Sequence, residues 1–197
     1  YNSSPPTRNP YMQLKWALDY QALEQARKGL PVVVGIPSMT FGEYDYAPTT
    51  GRLLVGLARG TMSRYVRGKR NVIAGVDAGR GLLRVCEDGR PGERYLLTGA
   101  NTDLEAIARY VSNWANRSMP RQLSLRMAKN ISKLQVLRYR LFGGALPTLD
   151  STAIAVMTSG QYLNGAKAEN ELGFKAQLSL DETLERALFW FKMQGIL

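Results

Sequence analysis

Residues 11–37 open with Tyr11-Met12-Gln13-Leu14-Lys15, continue to Lys28 through good helix formers, and end in Pro31-Val32-Val33-Val34-Gly35-Ile36-Pro37. Pro10 before this run and Gly29 after it are typical of the two ends of a helix, so a helix is predicted over Tyr11–Lys28. Val32–Ile36 has no polar alternation, which favours a parallel strand buried on both faces. A helix followed directly by such a strand predicts an α/β fold.

Tyr11 and Lys15 stand four residues apart and therefore share one face of the predicted helix. A positive charge beside the phenol favours its ionised form, and a tyrosine tuned in this way can exchange a proton with a substrate hydroxyl or carbonyl. Tyr65 and Lys69 have the same spacing. Gly68 interrupts that second pair, and Arg67–Arg70 has the pattern of a basic turn, so a solvated loop is predicted there.

The composition limits the chemistry that is open to the chain. It has 197 residues, enough for one domain or two small ones, and it contains no histidine. The absence of histidine excludes Ser-His-Asp and Cys-His catalysis and removes the commonest zinc ligand. Any proton transfer would therefore use tyrosine, lysine or carboxylate side chains. The single cysteine, Cys86, excludes an internal disulfide framework and favours a reducing, cytoplasmic location; its apolar surroundings predict a packed thiol. No apolar run reaches the ~20 residues of a membrane span.

The formal net charge is +10, with basic residues densest in Arg121–Arg140. That stretch alternates with apolar residues, as a helix with a solvated basic face would. The next most favoured interpretation of this basic stretch is a site for phosphate-bearing ligands or for an anionic membrane surface. No zinc-finger, RNP or helix-turn-helix pattern is present, so no nucleic-acid partner is expected.

The remaining sequence predicts short alternating elements followed by a mostly helical region. Pro37–Gly51 has the composition of a long loop, and such loops are often functional. Asp77 is predicted as an N-cap, and Thr102 with Glu105 as a capping box. Three nearby glycines do not form G-x-G-x-x-G and favour close helix packing, so the sequence contains no phosphate-binding glycine loop. The predicted elements are Arg52–Arg59, Ala78–Asp88, Leu123–Leu141, Ser151–Thr158, Lys167–Leu172 and Ser179–Met193 as helices, and Ser63–Val66 and Arg94–Thr98 as strands.

The order of these features resembles the extended short-chain dehydrogenase/reductase family, which contains the NAD-dependent epimerases and dehydratases. Within it, the chain is most similar to the hopanoid-associated sugar epimerase and dihydroflavonol-reductase-like branch. The stretches that carry the resemblance are Lys15-Trp16-Ala17-Leu18, Pro48-Thr49-Thr50-Gly51-Arg52, Gly92-Glu93-Arg94-Tyr95-Leu96-Leu97, Glu171-Leu172-Gly173-Phe174 and Leu184 with Trp190-Phe191.

The resemblance implies the C-terminal part of a Rossmann-like doubly wound parallel sheet, with a mostly helical substrate-binding region. We expect residues 1–100 to form the second half of the Rossmann-like domain, with substrate loops between its elements, and residues 101–197 to form the helical region. The family's glycine-rich N-terminal half, which binds the dinucleotide, has no counterpart here. The 197 residues alone are therefore expected to be inactive.

The resemblance also implies roles for individual residues. Tyr11 would be the general acid and base, and Lys15 would assist it and bind the nicotinamide ribose of NAD or NADP. Pro37, Ser38 and Met39 would lie along the nicotinamide. The loop after this strand would face the substrate, and its candidate contacts are Phe41, Tyr44 and Arg52. Arg52 has the fork geometry for a phosphate or carboxylate, although a local cap or ion pair is an equal alternative.

The function implied is that of an NAD(P)-dependent oxidoreductase or epimerase. Its small-molecule substrate would be a sugar nucleotide or a related hydroxyl or carbonyl compound. The alternative is a non-catalytic, nucleotide-sensing or regulatory protein of the same fold, and the presence of both Tyr11 and Lys15 counts against it. The sequence leaves open a homodimer, the choice between NAD and NADP, and whether the reaction is reduction, epimerisation or dehydration.

Overall fold

The computed structural model describes residues 9–144 and 160–197, so the predicted helix Ser151–Thr158 lies outside the described residues. The first half contains α1 (Pro10–Arg27), β1 (Val34–Pro37), β2 (Met39–Phe41), α2 (Arg52–Ala58), β3 (Arg64–Val66), β4 (Lys69–Ala74), α3 (Gly75–Asp88) and β5 (Arg94–Leu97). The second half contains β6 (Ala100–Asp103), α4 (Leu104–Trp114), β7 (Arg121–Leu123), α5 (Leu125–Phe142), α6 (Ala166–Leu172) and α7 (Leu180–Met193).

The strands pair mainly in parallel, which confirms the predicted α/β class. β1 pairs with β5, β2 with β4 and β3 with β7, each in parallel, and β6 adds an antiparallel strand to the other edge of β4. β1 and β2 follow each other almost directly, so one extended segment pairs first with β5 and then with β4. The predicted loop Pro37–Gly51 is therefore too long at its start, because residues 39–41 belong to the sheet.

Helix α1 forms where the sequence predicts it. The side chain of Asn9 caps it by accepting hydrogen bonds from the backbone N–H groups of Tyr11 and Met12, and Gly29 follows its end with a φ of +95°. The prediction that β1 is buried on both faces is wrong, because all four of its residues are only half-buried. Within the described residues β1 pairs along one edge only, and α1 contributes a single fully buried side chain, Leu23.

Two predicted helix starts are displaced because short strands run straight into helices. Ala74 at the end of β4 is the N-cap of α3, so Asp77 lies in the first helical turn. Thr102 is buried in β6, and Asp103 caps α4 by accepting a hydrogen bond from Ala106 N at 2.8 Å. The helix predicted at Ser179 is confirmed, since Ser179 and Glu182 form a capping box and their hydrogen bonds lower the pKa of Glu182.

Two further predictions are wrong in whole or in part. Only Arg67 and Gly68 form the predicted loop, since Tyr65 is buried in β3 and Arg70 is buried in β4, where desolvation lowers its pKa. Cys86 is exposed, because the buried face of α3 carries Ala78, Gly81 and Val85.

Among the described residues no helix is long and apolar enough to cross a bilayer.

Two of the three clusters of buried side chains among the described residues, one larger and one smaller, pack helices beside the strands. The larger core joins α2 to α4 and α7 through Leu54, Leu57, Ile107, Val111, Leu184 and Leu188. The smaller core packs α3 and α6 on β5 through Val85, Tyr95, Leu97 and Leu172. Because the larger core contains residues from both sides of position 100, the two predicted regions share a core. The division at residue 100 stays a prediction.

The bend between β5 and β6 requires a glycine at position 99. A Cβ there would overlap the carbonyl oxygen of Val72 and lie 3.0 Å from the Cα of Ile73, both in the backbone of β4. We expect Gly99→Ala to lower the free energy of unfolding by about 1–3 kcal/mol, because a strand backbone cannot move aside easily. Gly79→Ala in α3 is the control: its Cβ would meet nothing within 4 Å, and we expect a gain of about 0.5–1 kcal/mol. Equal urea midpoints for Gly99→Ala and the parent would contradict the first expectation.

Candidate active site

Tyr11 and Lys15 lie together on the first turns of α1, as the spacing predicts. The Nζ atom of Lys15 is 5.7 Å from the centroid of the Tyr11 ring, within cation–π distance. Tyr11 is 45% exposed, and Lys15 forms no ion pair with any carboxylate of the described residues. The phenol and the ammonium are therefore both accessible to a ligand.

The other Tyr-x-x-x-Lys pair differs from this one in its surroundings. Tyr65 is buried, and its burial, followed by the charge of Glu105, raises the pKa of its phenol. A phenol held in its neutral form inside a core is poorly suited to exchange protons at neutral pH. Sequence spacing alone does not separate the two pairs, whereas exposure does.

The carboxyl end of β1 brings Pro37, Ser38 and Met39 to the bend between β1 and β2. Ser38 N donates a hydrogen bond to Leu97 O at 3.0 Å, and Ser38 O accepts one from the hydroxyl of Thr40 at 3.0 Å. The hydroxyl oxygen of Ser38 is buried and has no hydrogen-bond partner in the part of the chain that is described. Such orphaned hydroxyls are uncommon in folded proteins, and this one lies where open α/β sheets bind their ligands.

The three predicted substrate contacts lie in different surroundings. Phe41 is 3% exposed and belongs to the larger core, so little of its side chain is accessible. Tyr44 has a φ of +68° and is 78% exposed, with its ring centroid 6.5 Å from that of Trp190 on α7. Arg52 is the first residue of α2 and lines a separate cavity between α2, β3 and α5. Of the three predicted contacts, only Tyr44 and Arg52 therefore have exposed side chains.

Asp77 is a positioning residue that the sequence reading missed. It is 1% exposed, and its Oδ2 atom accepts hydrogen bonds from the backbone N–H groups of Gln177 and Leu178, both at 3.0 Å. Arg80 NH1 lies 3.5 Å from its other oxygen. One carboxylate of α3 thus fixes the connection between α6 and α7. Its position directly behind a buried strand is the only sequence signal for this role.

Asn71 has a comparable role at the end of β5. Its side-chain amide donates to Gly99 O at 3.0 Å and accepts from Gly99 N at 2.9 Å, as a neighbouring strand would. The same Nδ2 donates to Asn101 Oδ1 at 2.8 Å, and Asn101 in turn exchanges two hydrogen bonds with the backbone of Leu163. These amides attach the segment before α6 to the sheet.

A third group of contacts holds α6 against β5. The hydroxyl of the buried Tyr95 donates to Glu171 at 2.8 Å, and Arg90 NH2 donates to both oxygens of Glu171 at 2.9 and 2.8 Å. Hydrogen bonds with Tyr95 and then Glu171 raise the pKa of Arg90. Lys167 pairs with Glu93 and lowers the pKa of that carboxyl. α6 is therefore fixed along its length.

Comparison with known proteins supports the resemblance noted in the sequence. No family model matches the chain. Sterol demethylase protein B of Methylococcus capsulatus is 25% identical to it over 190 residues, which cover 95% of this chain and 58% of that protein. A protein of Synechocystis sp. named as a dihydroflavonol 4-reductase is 28% identical over 193 residues, covering 94% of this chain and 55% of its own length. The chain thus spans about half the length of the curated relatives it matches.

Solved structures give a closer likeness. A nucleoside-diphosphate-sugar epimerase from Pseudomonas aeruginosa is 44% identical, with a TM-score of 0.88, and the match covers 100% of this chain and 60% of that one. A dTDP-glucose 4,6-dehydratase from Bacillus anthracis, solved with NAD, has a TM-score of 0.69 at 16% identity, which shows the fold alone. The Rossmann-like fold expected from the sequence is confirmed.

Proposed function

We propose that this chain, which is similar over most of its length to a nucleoside-diphosphate-sugar epimerase and to a dihydroflavonol-reductase-like protein, is part of an NAD(P)-dependent oxidoreductase or epimerase. Its substrate would be a sugar nucleotide or a related hydroxyl or carbonyl compound. The observation that carries the proposal is the Tyr11–Lys15 pair, exposed on α1 with the ammonium 5.7 Å from the phenol ring centroid. α1 packs on β1, and the buried hydroxyl of Ser38 at the carboxyl end of β1 has no partner among residues 9–144 and 160–197.

The residues at the end of β1 fit a bound nicotinamide dinucleotide. The buried hydroxyl of Ser38 lacks a partner among the described residues, and a polar group of the dinucleotide would supply one. Pro37 and Met39, both half-buried, would provide apolar contacts for the nicotinamide ring. Lys15 would donate hydrogen bonds to the ribose hydroxyls. NAD or NADP, when bound, would carry the hydride.

In this proposal Tyr11 moves the proton. Its phenolate would accept the proton of a substrate hydroxyl during oxidation, and its phenol would return one to the carbonyl oxygen during reduction. The ammonium of Lys15 would stabilise the phenolate through its charge. An epimerisation would use both directions in succession, so the same two residues serve a reductase or an epimerase.

The dinucleotide's phosphates normally bind at a glycine-rich loop, which this sequence does not contain. We therefore expect the isolated 197-residue chain to bind NADH and NADPH weakly and to show no turnover. Fluorescence titration of both cofactors into the chain measures this, with the native gene product as the positive control. Tight binding by the isolated chain would contradict the proposed division of the site.

A further inference from the structure

Helix α5 turns most of its large side chains away from the protein. Of its 18 residues only Ala128 and Ser132 are buried, and both are small. A surface helix of a globular protein normally presents its apolar stripe to the core. On α5 four large apolar side chains are instead between 53% and 67% exposed, namely Met127, Leu134, Leu137 and Leu141. Exposed apolar surface of this kind is typical of an interaction site.

These four side chains share one face of α5 and form its exposed apolar stripe. Met127, Leu134 and Leu141 are each seven residues apart, which is two helical turns, and Leu137 lies one turn from both leucines. The same geometry places basic side chains along both edges of the stripe. One edge carries Arg126, Lys129, Lys133 and Arg140, and the other carries Arg138.

The positive charge beside the exposed apolar stripe is not neutralised by the protein. None of the five basic residues of α5 forms an ion pair within residues 9–144 and 160–197. The sequence contains no aspartate or glutamate at positions 106–149. A partner of this face therefore has to offer both apolar groups and negative charge.

We propose that α5 binds the surface of an anionic lipid bilayer, with the helix axis parallel to the membrane plane. The exposed apolar stripe enters the boundary between headgroups and acyl chains. The arginines and lysines at its edges bury their aliphatic stems and reach the lipid phosphates with their charged ends. This inference goes beyond the proposed function and does not depend on it.

A bilayer matches both parts of this face. Its phosphates and acyl chains lie at neighbouring depths, so cations at both edges meet phosphates while the stripe leaves water. A nucleic-acid duplex offers phosphates but no apolar layer, and the stripe would remain hydrated against it. A second copy of the chain, paired through α5, would bring ten like charges together, which is unfavourable.

Co-sedimentation of the native gene product with lipid vesicles measures the binding. Vesicles of phosphatidylcholine and phosphatidylglycerol in equal parts are compared with vesicles of phosphatidylcholine alone. We expect the anionic vesicles to be bound at least about 100-fold more tightly, and this binding to weaken as salt is added. Equal binding to the two kinds of vesicle, or binding to neither, would overturn the inference.

The double variant Lys129→Gln with Lys133→Gln tests the basic edge. We expect it to bind anionic vesicles about 30-fold more weakly, because two cations no longer face the charged surface. Lys28→Gln with Lys192→Gln is the matched control, since it removes the same charge at exposed positions outside α5. A control that weakens binding as much as the α5 variant would show that only the net charge matters.

The double variant Leu134→Gln with Leu141→Gln tests the exposed apolar stripe. We expect it to weaken vesicle binding by about 30-fold or more, because two leucine side chains no longer enter the apolar layer. Leu30→Gln with Leu83→Gln is the control, at side chains that are 52% and 57% exposed. Unchanged binding by the α5 variant, or an equal loss in the control, would overturn the inference. Urea midpoints equal to that of the parent show that the variants are folded.

Two measurements separate the bilayer from other partners of the same face. Duplex DNA that is bound more tightly than anionic vesicles, and equally well by the leucine variant of α5, would overturn the inference in favour of a nucleic-acid surface. A dimer in sedimentation velocity that this variant dissociates would assign the stripe to a second copy and also overturn it. Neither cofactor nor turnover is involved, so either result leaves the role proposed for Tyr11 intact.

Discussion

Replacing Tyr11 with phenylalanine is expected to lower the turnover number of the native gene product by about 10²- to 10⁴-fold, the usual contribution of a positioned general acid or base. Phenylalanine keeps the ring beside Lys15 and removes only the hydroxyl. Because α1 presents this side chain to solvent and not to the core, the free energy of unfolding is expected to stay the same. Turnover with NAD(P)H, followed by absorbance, measures the first effect, and urea denaturation measures the second.

Tyr20→Phe on the same helix is the control for this experiment. The Tyr20 ring stacks on Trp16 with centroids 5.2 Å apart, and phenylalanine preserves that contact. We expect the control to keep parental turnover. If Tyr11→Phe also keeps it, the catalytic assignment fails, and a non-catalytic nucleotide-sensing protein becomes the better account of the fold.

Replacing Asp77 with alanine is expected to lower the free energy of unfolding by about 3 kcal/mol. The loss arises because the N–H groups of Gln177 and Leu178 would both remain without their acceptor in a partly buried place, and each such group costs about 1–3 kcal/mol. Arg80 would also lose the carboxylate that lies 3.5 Å away. Urea denaturation measures the total, and hydrogen exchange at Gln177 and Leu178 shows whether the loss arises there.

Asp77→Asn is the matched control, since the amide keeps one oxygen that can accept the two backbone hydrogen bonds. We expect it to lose clearly less stability than Asp77→Ala and to keep protection at Gln177 and Leu178. Equal losses for the two variants, without faster exchange at these two amides, would show that the carboxylate does not fix the α6–α7 connection.

The elements that the sequence predicts well are those specified by neighbouring residues. Pro10 and Gly29 define both ends of α1, and Ser179 with Glu182 defines the start of α7, because caps and boundary residues act within one or two turns. β6 and β7, of four and three residues, were not predicted. Their pairing with β4 and β3 depends on residues about 30 and 60 positions away, which local patterns do not contain.

The candidate site shows the same limit. Helical spacing alone predicts that Tyr11 and Lys15 lie together. The exposure of Tyr11 on α1 distinguishes this pair from Tyr65 and Lys69, because Tyr65 is buried. The side chain of Phe41 was assigned to a substrate loop, but β2 carries it into the core beside Leu54. The cavity that Arg52 lines was not foreseen, because it requires α2, β3 and α5 to meet.

The hydrogen bonds of Asp77 also constrain how the chain is made. They join positions separated by 100 and 101 residues, and α3 cannot form them until Leu178 has left the ribosome. During synthesis the carboxylate therefore lacks both backbone N–H partners until the last part of the chain has been made. Contacts of such long separation form slowly, so docking of residues 173–178 is a late folding step.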